Sequence, residues 1–343
     1  MNIVVLCGGL SNERDVSITS GSNVAKALKS AGHNVLLVDL FYGYDGDYLD
    51  PHELFLTDQK NLDYSVKLET PDVDRMFREG GGGRIGGNVI EICKAADIVF
   101  LALHGADGED GKIQATLDMH GIKYTGSGYL GSAIAMNKEL TKTLFAANGI
   151  PSPEGIVVSK FDGAYSDVGF PCVVKPCSGG SSVGTSIVNS RDEYAAALDL
   201  AFKFEERVLV EKYVRGREFT VGVLSGKAMP IIEIIPKTGW YDYKNKYQAG
   251  LTEEICPADI DGDTAQRLSA MAEKVAGVLM IDVYFRADFL MDEKTGCIYC
   301  LEANTLPGMT PTSLVPQMAR EIGMDFAALC EKIIEVSMEK YAG

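Results

Sequence analysis

The stretch Arg286-Ala-Asp288-Phe-Leu-Met-Asp292-Glu-Lys-Thr-Gly296-Cys-Ile-Tyr-Cys300-Leu-Glu302-Ala-Asn304 decides how this chain folds. Two largely apolar runs flank a set of turn-forming residues, so the segment predicts an antiparallel hairpin over roughly 281–304. In such a hairpin, opposed residues share a face and successive residues alternate between faces. If the loop is odd in length, Arg286, Asp288, Glu302 and Asn304 all project from one face. Two carboxylates, one amide oxygen and a guanidinium then converge. Hard oxygens of this kind, with room left for phosphate oxygens, suit Mg2+. The competing reading is a hairpin whose polar face is merely solvated. The irregular Thr305-Leu-Pro-Gly-Met-Thr310 that follows offers backbone amides to an oxyanion.

Upstream, Lys175 sits in the apolar run Phe170-Pro-Cys-Val-Val-Lys175, where a charge is costly unless an anion pairs with it. Directly after it, Ser178-Gly-Gly-Ser-Ser-Val-Gly184 supplies amides and hydroxyls able to close over phosphates. The strand-like Val208-Leu-Val-Glu211-Lys-Tyr-Val214, followed by Gly216-Arg-Glu218, can set an adenine against backbone groups, with an acidic side chain for ribose hydroxyls. Without context, an ordinary core strand with charged exit residues explains the same letters. Lys138, near a helix that starts at about Asn137, reads by itself as a surface residue. Cys297 and Cys300 have CxxC spacing, but an odd separation on a strand puts the thiols on opposite faces.

The amino-terminal third differs in pattern. Residues 2–7, 34–38 and 97–103 read as buried parallel strands, with a helix over 17–31 between the first two. That alternation predicts a doubly wound unit whose ligand edge lies at the strands' carboxyl ends. Gly8-Gly-Leu-Ser-Asn-Glu13 and His104-Gly-Ala-Asp-Gly-Glu109-Asp-Gly both fall there. His104 reads equally as a structural histidine. Residues 41–95 show no clear periodicity, and their glycine-rich 80–87 stretch, lacking a GK[ST] ending, reads as a flexible surface loop.

The whole is therefore expected as α/β followed by α+β, in three units of 1–126, 127–210 and 211–343. The net charge of −16 excludes nucleic acid as the natural partner. No apolar run approaches the roughly 18–20 residues needed to cross a bilayer. Eight scattered cysteines predict reduced core thiols and a cytoplasmic setting.

Taken in order, Glu13, His104-Gly, Met136-Asn-Lys138, Val174-Lys175-Pro, Gly180-Ser-Ser-Val-Gly184, Glu211-Lys212, Glu218-Phe-Thr220, Tyr241-Asp-Tyr243 with Lys246-Tyr247, Arg286-Ala-Asp288, Glu302-Ala-Asn304 and Ser313-Leu-Val-Pro316 resemble the D-alanine–D-alanine ligases of the ATP-grasp superfamily. The resemblance runs through nearly the whole chain except 41–95. It implies a three-domain ATP-grasp fold and ATP-dependent joining of two D-alanines through an acylphosphate, for peptidoglycan precursors. Lys138, Lys175, Ser182, Glu211, Lys212, Val214, Glu218 and Lys246 would hold ATP. Asp288, Glu302 and Asn304 would coordinate two Mg2+ (or Mn2+), with a monovalent cation as a further option. Glu13 would receive the ammonium of the first D-alanine, with His104 nearby, while Ser313 and Leu314 would hold the carboxylate of the second. Arg286 and the Gly308 amide would stabilise the tetrahedral oxyanion. Tyr247 would link through Ser181 to Glu13 to close the site, and a homodimer is typical of the family. Two alternatives are a ligase joining D-alanine to D-serine or D-lactate, or making another dipeptide, and a nucleotide-binding sensor without catalysis.

Overall fold

The computed structural model describes residues 1–45, 50–57, 72–80, 82–162, 166–180, 183–237, 239 and 250–342. The first sheet is built from short, almost wholly apolar strands. β1 (Asn2–Cys7) lies between β2 (Asn34–Asp39) and β3 (Ile98–Leu101), all parallel. Strands buried on both faces need no alternation, which is why they read as unbroken runs of Val, Ile, Leu and Phe. Helix α1 (Arg14–Ser30) joins β1 to β2 and starts three residues earlier than its apolar spacing suggests. Its first turn is closed by Ser17 N–H donating to the Glu13 carbonyl, a backbone bond with no apolar signature. Helices α2 (Pro51–Thr57), α3 (Val73–Glu79) and α4 (Val89–Lys94) occupy the described part of 41–95. The glycine-rich stretch is not a free loop where described. Gly86 N–H donates to the Leu40 carbonyl at 2.9 Å, and Arg84 pairs with Asp107 at 2.5 Å.

The chain continues through α5 (Lys112–Met119), α6 (Tyr129–Met136) and α7 (Lys138–Ala147). The second sheet follows, an antiparallel set in the order β4 (Gly155–Ser159), β7 (Arg207–Lys212), β5 (Cys172–Pro176), β6 (Ser186–Val188), covered by α8 (Arg191–Ala201). The third sheet carries β8 (Gly216–Leu224) with β9 (Lys227–Ala228), β10 (Ile232–Pro236) and β11 (Thr252–Ile255). Helix α9 (Gly262–Leu279) precedes the hairpin of β12 (Tyr284–Asp292) and β13 (Ile298–Asn304), and the order is β11-β10-β8-β12-β13. Helices α10 (Leu314–Glu321) and α11 (Phe326–Glu339) close the chain.

Hydrophobic cores cross these units. Leu329, Ile333 and Ile334 of α11 share a cluster with Ile3, Val24 and Leu28 of the first sheet and its helix. Ala135 and Phe145, from α6 and α7, pack with Phe219, Phe285 and Phe289 of the third sheet. The carboxyl edge of the first sheet is thereby held against the third-sheet hairpin, and the site lies between them.

Candidate active site

The hairpin register places the expected face. Arg286 opposes Asn304, and Asp288 opposes Glu302, across the loop at 293–297. A bulge between Asp288 and Phe289 then sets Phe289 opposite Cys300, so Leu301 is the extra residue. Cys300 is thereby turned into the core, whereas strict alternation would have set it beside Glu302. Cys297 precedes β13, is half-buried, and like Cys300 is a free thiol.

Asp288 is 6% exposed and held by three neighbours. Arg286 donates twice, at 2.9 and 2.8 Å, Thr220 Oγ1 donates at 2.7 Å, and the Asn304 amide at 3.1 Å. A buried carboxylate so supplied is held in one orientation. Glu302 has its Oε2 3.7 Å from Lys138 Nζ. Lys138, expected at the surface, is buried instead: its ammonium donates to the Gly179 carbonyl at 2.7 Å and its backbone N–H to Cys177. It therefore ties α7 to the glycine-rich loop. Two carboxylates and an amide on one strand-paired face are a donor set fitting a hard divalent cation. Among the described residues no third His, Cys, Asp or Glu joins them, so other coordination positions would fall to phosphate oxygens or water.

Two cavities meet at this face. One, of about 490 Å3, lies between the second and third sheets and is lined by Lys138, Lys175, Glu211, Lys212, Val214 and Glu218, among others. The second, of about 740 Å3, lies between the first sheet and the third and includes Glu13, His104, Arg286, Asn304, Gly308, Ser313 and Leu314. Both volumes suit small-molecule sites of about 300–1,000 Å3. Gly180 and Glu302 line both cavities, so the two adjoin at that point.

In the first cavity, Lys175 has its anion within the chain: it is ion-paired with Glu211, which also accepts from Lys142 at 2.9 Å. Burial alone would raise the Glu211 carboxyl, but the two lysines hold it below its usual range. Lys212 reaches outward to Glu154 at 2.5 Å.

In the second cavity, Glu13 stands at the start of α1, close to both Gly105 and Gly180. A Cβ on Gly105, whose φ is +67°, would fall 2.7 Å from Glu13 Oε2 and from Ser11 Oγ, so only glycine permits this approach. A Cβ on Gly180 would lie 3.2 Å from the same oxygen. His104 is buried, and burial pulls its pKa down. Its Nδ1 meets the Leu306 carbonyl at 2.9 Å and must donate, so Nε2 accepts from Ser20 Oγ at 3.0 Å. Ser20 Oγ in turn accepts from Met309 N–H at 3.3 Å. His104 thus fastens the 305–310 turn to β3 and α1. Ser313 is the N-cap of α10, so the first amides of that helix offer partial positive charge at the cavity wall. Ser181, Ser182, Lys246 and Tyr247 lie outside the described residues.

Sequence reasoning missed Glu109, although it quoted the segment that contains it. An acid in a glycine-flanked turn at a strand's carboxyl end was the signal available. Its carboxylate accepts from Gly105 N–H at 2.8 Å and Leu306 N–H at 3.2 Å, bridging the two walls of the second cavity. Burial, with Glu13 nearby, pushes its pKa from 4.5 up to about 7. Between those values the folded protein holds a proton that the unfolded chain has lost, so stability falls as pH rises across that window. Glu109→Gln should remove that slope. Relative to wild type, the variant should gain on the order of 3 kcal/mol between about pH 4.5 and about pH 8. Thermal denaturation of both proteins across pH checks this, and parallel curves would rule the titration out.

A family model described as D-ala D-ala ligase N-terminus matches residues 2–127, and one described as D-ala D-ala ligase C-terminus matches residues 152–335. The D-alanine–D-alanine ligase of Pediococcus pentosaceus is 44% identical, with 97% of each chain covered. The crystal structure of the corresponding ligase from Bacillus anthracis superposes with a TM-score of 0.77 at 32% identity, covering 100% of both chains. That enzyme's complex with ATP gives 0.76 at 31% identity, again over 100% of both.

Proposed function

The chain belongs to the D-alanine–D-alanine ligase family, and on that premise we infer that it joins two D-alanines to D-alanyl-D-alanine, consuming ATP and supplying peptidoglycan synthesis. The observation that carries this reading is the meeting of two cavities at Glu302 and Gly180. A ligase of this kind must move a phosphoryl group from a nucleotide to a carboxylate, and then keep the activated carboxylate away from water.

In this reading the nucleotide lies in the first cavity. Glu211, Lys212, Val214 and Glu218 surround its adenine and ribose, and Lys138 and Lys175 face its phosphates. Ser182 and Lys246, from outside the described residues, complete that set. Asp288, Glu302 and Asn304 would hold two Mg2+ (or Mn2+), which when bound neutralise charge on the phosphate oxygens. A monovalent cation is a further candidate ligand.

The first D-alanine places its ammonium against Glu13 and its carboxylate toward Glu302. That carboxylate attacks the terminal phosphorus, ADP departs, and an acylphosphate remains. The second D-alanine rests its carboxylate on the Ser313 and Leu314 amides, where the α10 dipole favours an anion. Its free amine attacks the acyl carbon. The resulting oxyanion faces Arg286 and the Gly308 amide, and phosphate leaves as the amide forms. His104 acts by fixing the 305–310 turn: both its ring nitrogens are engaged, so it is not poised to take the ammonium's proton. Tyr247 and Ser181, both outside the described residues, are the candidates for closing the site over Glu13.

Among the described residues no helix is long and apolar enough to cross a membrane. A cytoplasmic homodimer is the proposed working form.

Product identification tests the reading. Supplied with ATP, Mg2+ and an equimolar mixture of D-alanine, D-serine and D-lactate, the enzyme should release ADP and yield mainly D-alanyl-D-alanine by mass spectrometry. A predominant depsipeptide or mixed dipeptide would overturn the substrate assignment, and absence of ADP release would overturn the ligase itself.

A further inference from the structure

At the wall of the nucleotide cavity, Glu211 carries a lysine on each carboxylate oxygen. Lys175 is ion-paired with Oε1, and Lys142 donates to Oε2 at 2.9 Å. Lys142 makes one further bond, to the Pro153 carbonyl at 2.5 Å. The side chains are only 5%, 12% and 14% exposed for Glu211, Lys175 and Lys142. They differ in what they face. Glu211 and Lys175 line the cavity, whereas Lys142, from α7, does not. Burial pulls the Lys142 ammonium down from its ordinary value, and Glu211 is what opposes that pull. No part of the mechanism above uses Lys142, yet a buried lysine is costly to retain without a role.

We propose that Lys142 is a positioning residue of the nucleotide site, the standing counter-ion of Glu211 that lets Lys175 leave Glu211 for the phosphates of the nucleotide. The inference rests on the reading that the first cavity takes ATP and that Lys175 meets its phosphates. The reason is charge arithmetic. Two lysines and one carboxylate give the trio a net charge of +1, and the lysine facing the cavity is the one free to be shared. When Lys175 turns to a phosphate, Lys142 and Glu211 remain as a neutral, hydrogen-bonded pair. Without Lys142, the same movement would strand a buried carboxylate, so Lys175 would be retained by Glu211 and denied to the nucleotide.

A double-mutant cycle tests this through the affinity for AMP-PNP with Mg2+, measured by calorimetry on the full-length protein without D-alanine. Lys142→Met should weaken binding by about tenfold to a hundredfold. In a Glu211→Gln background, where a neutral amide needs no counter-ion, the same substitution should change affinity by less than about threefold. Lys142→Arg should restore most of the loss, and the melting temperature of each apo variant reports folding. Lys142→Gln, which keeps a donor for Pro153 and removes only the charge, makes the same comparison if Lys142→Met does not fold. Equal losses in both backgrounds, or no loss in either, would overturn the proposal. Failure of the wild type itself to bind AMP-PNP would instead sink the ATP reading.

Discussion

Glu302→Gln should fold nearly as wild type and lose turnover by two or more orders of magnitude, about 3 kcal/mol or above in the barrier. The folding half follows from the surroundings of Glu302. Its side chain is 23% exposed, and its ion pair with Lys138 spans 3.7 Å, a separation at which little stability is at stake. The catalytic half follows from position. Glu302 opposes Asp288 across the hairpin and lines both cavities, so in the proposed reaction its charge sits where the phosphoryl group crosses. An isosteric amide keeps the shape and removes one of the two carboxylate charges available to a divalent cation. Steady-state ADP release at saturating Mg2+ and D-alanine measures the effect. Turnover within about tenfold of wild type would remove Glu302 from the proposed metal site.

Lys175→Met should weaken ATP binding by about a hundredfold or more, near 2.7 kcal/mol, and should also destabilise the apo protein. On sequence alone the second effect has the opposite expectation: a lone lysine in an apolar strand would be a relief to remove. The structure reverses the sign because Glu211 is the missing anion, and it is only 4% exposed. Removing Lys175 leaves that carboxylate with Lys142 alone and takes away one charge-assisted bond, at about 1.5–3 kcal/mol. The partial rescue by Lys142 keeps the loss below the about 3–5 kcal/mol expected when a buried charge loses its only partner. Chemical denaturation of the apo variant and calorimetry with ATP read the two effects separately. An unchanged apo stability would mean that Glu211 does not depend on Lys175, and retained affinity would remove Lys175 from the phosphate site.

Much of the site was legible because strand geometry is local. Alternation puts Arg286 with Asp288 on one face of β12 and Glu302 with Asn304 on one face of β13, but the two pairs meet only because the Leu301 bulge offsets the turn beyond the Met291–Ile298 pair, which is not odd in length. The last helix carries a local start signal of the same kind, Asp325, whose side chain accepts from Ala328 N–H at 2.8 Å. Glu109 was harder, because its importance comes from Leu306, a residue on another sheet's exit turn.

By itself the order of residues determined that Arg286 and Asp288, and Glu302 and Asn304, alternate onto one face of their strands, and that a buried lysine would need an anion. It could not say which anion. Lys142 and Glu211 are 69 positions apart, and His104 and Leu306 are 202 apart. Such pairs depend on how the sheets are ordered and which cores they share. Lys138, a surface residue when read by itself near a helix start, becomes buried because α7 packs into the third sheet's core while its amine reaches the glycine-rich loop. Tertiary structure alone settled these partners, since the desolvation that makes each one matter exists only after distant elements have closed over it.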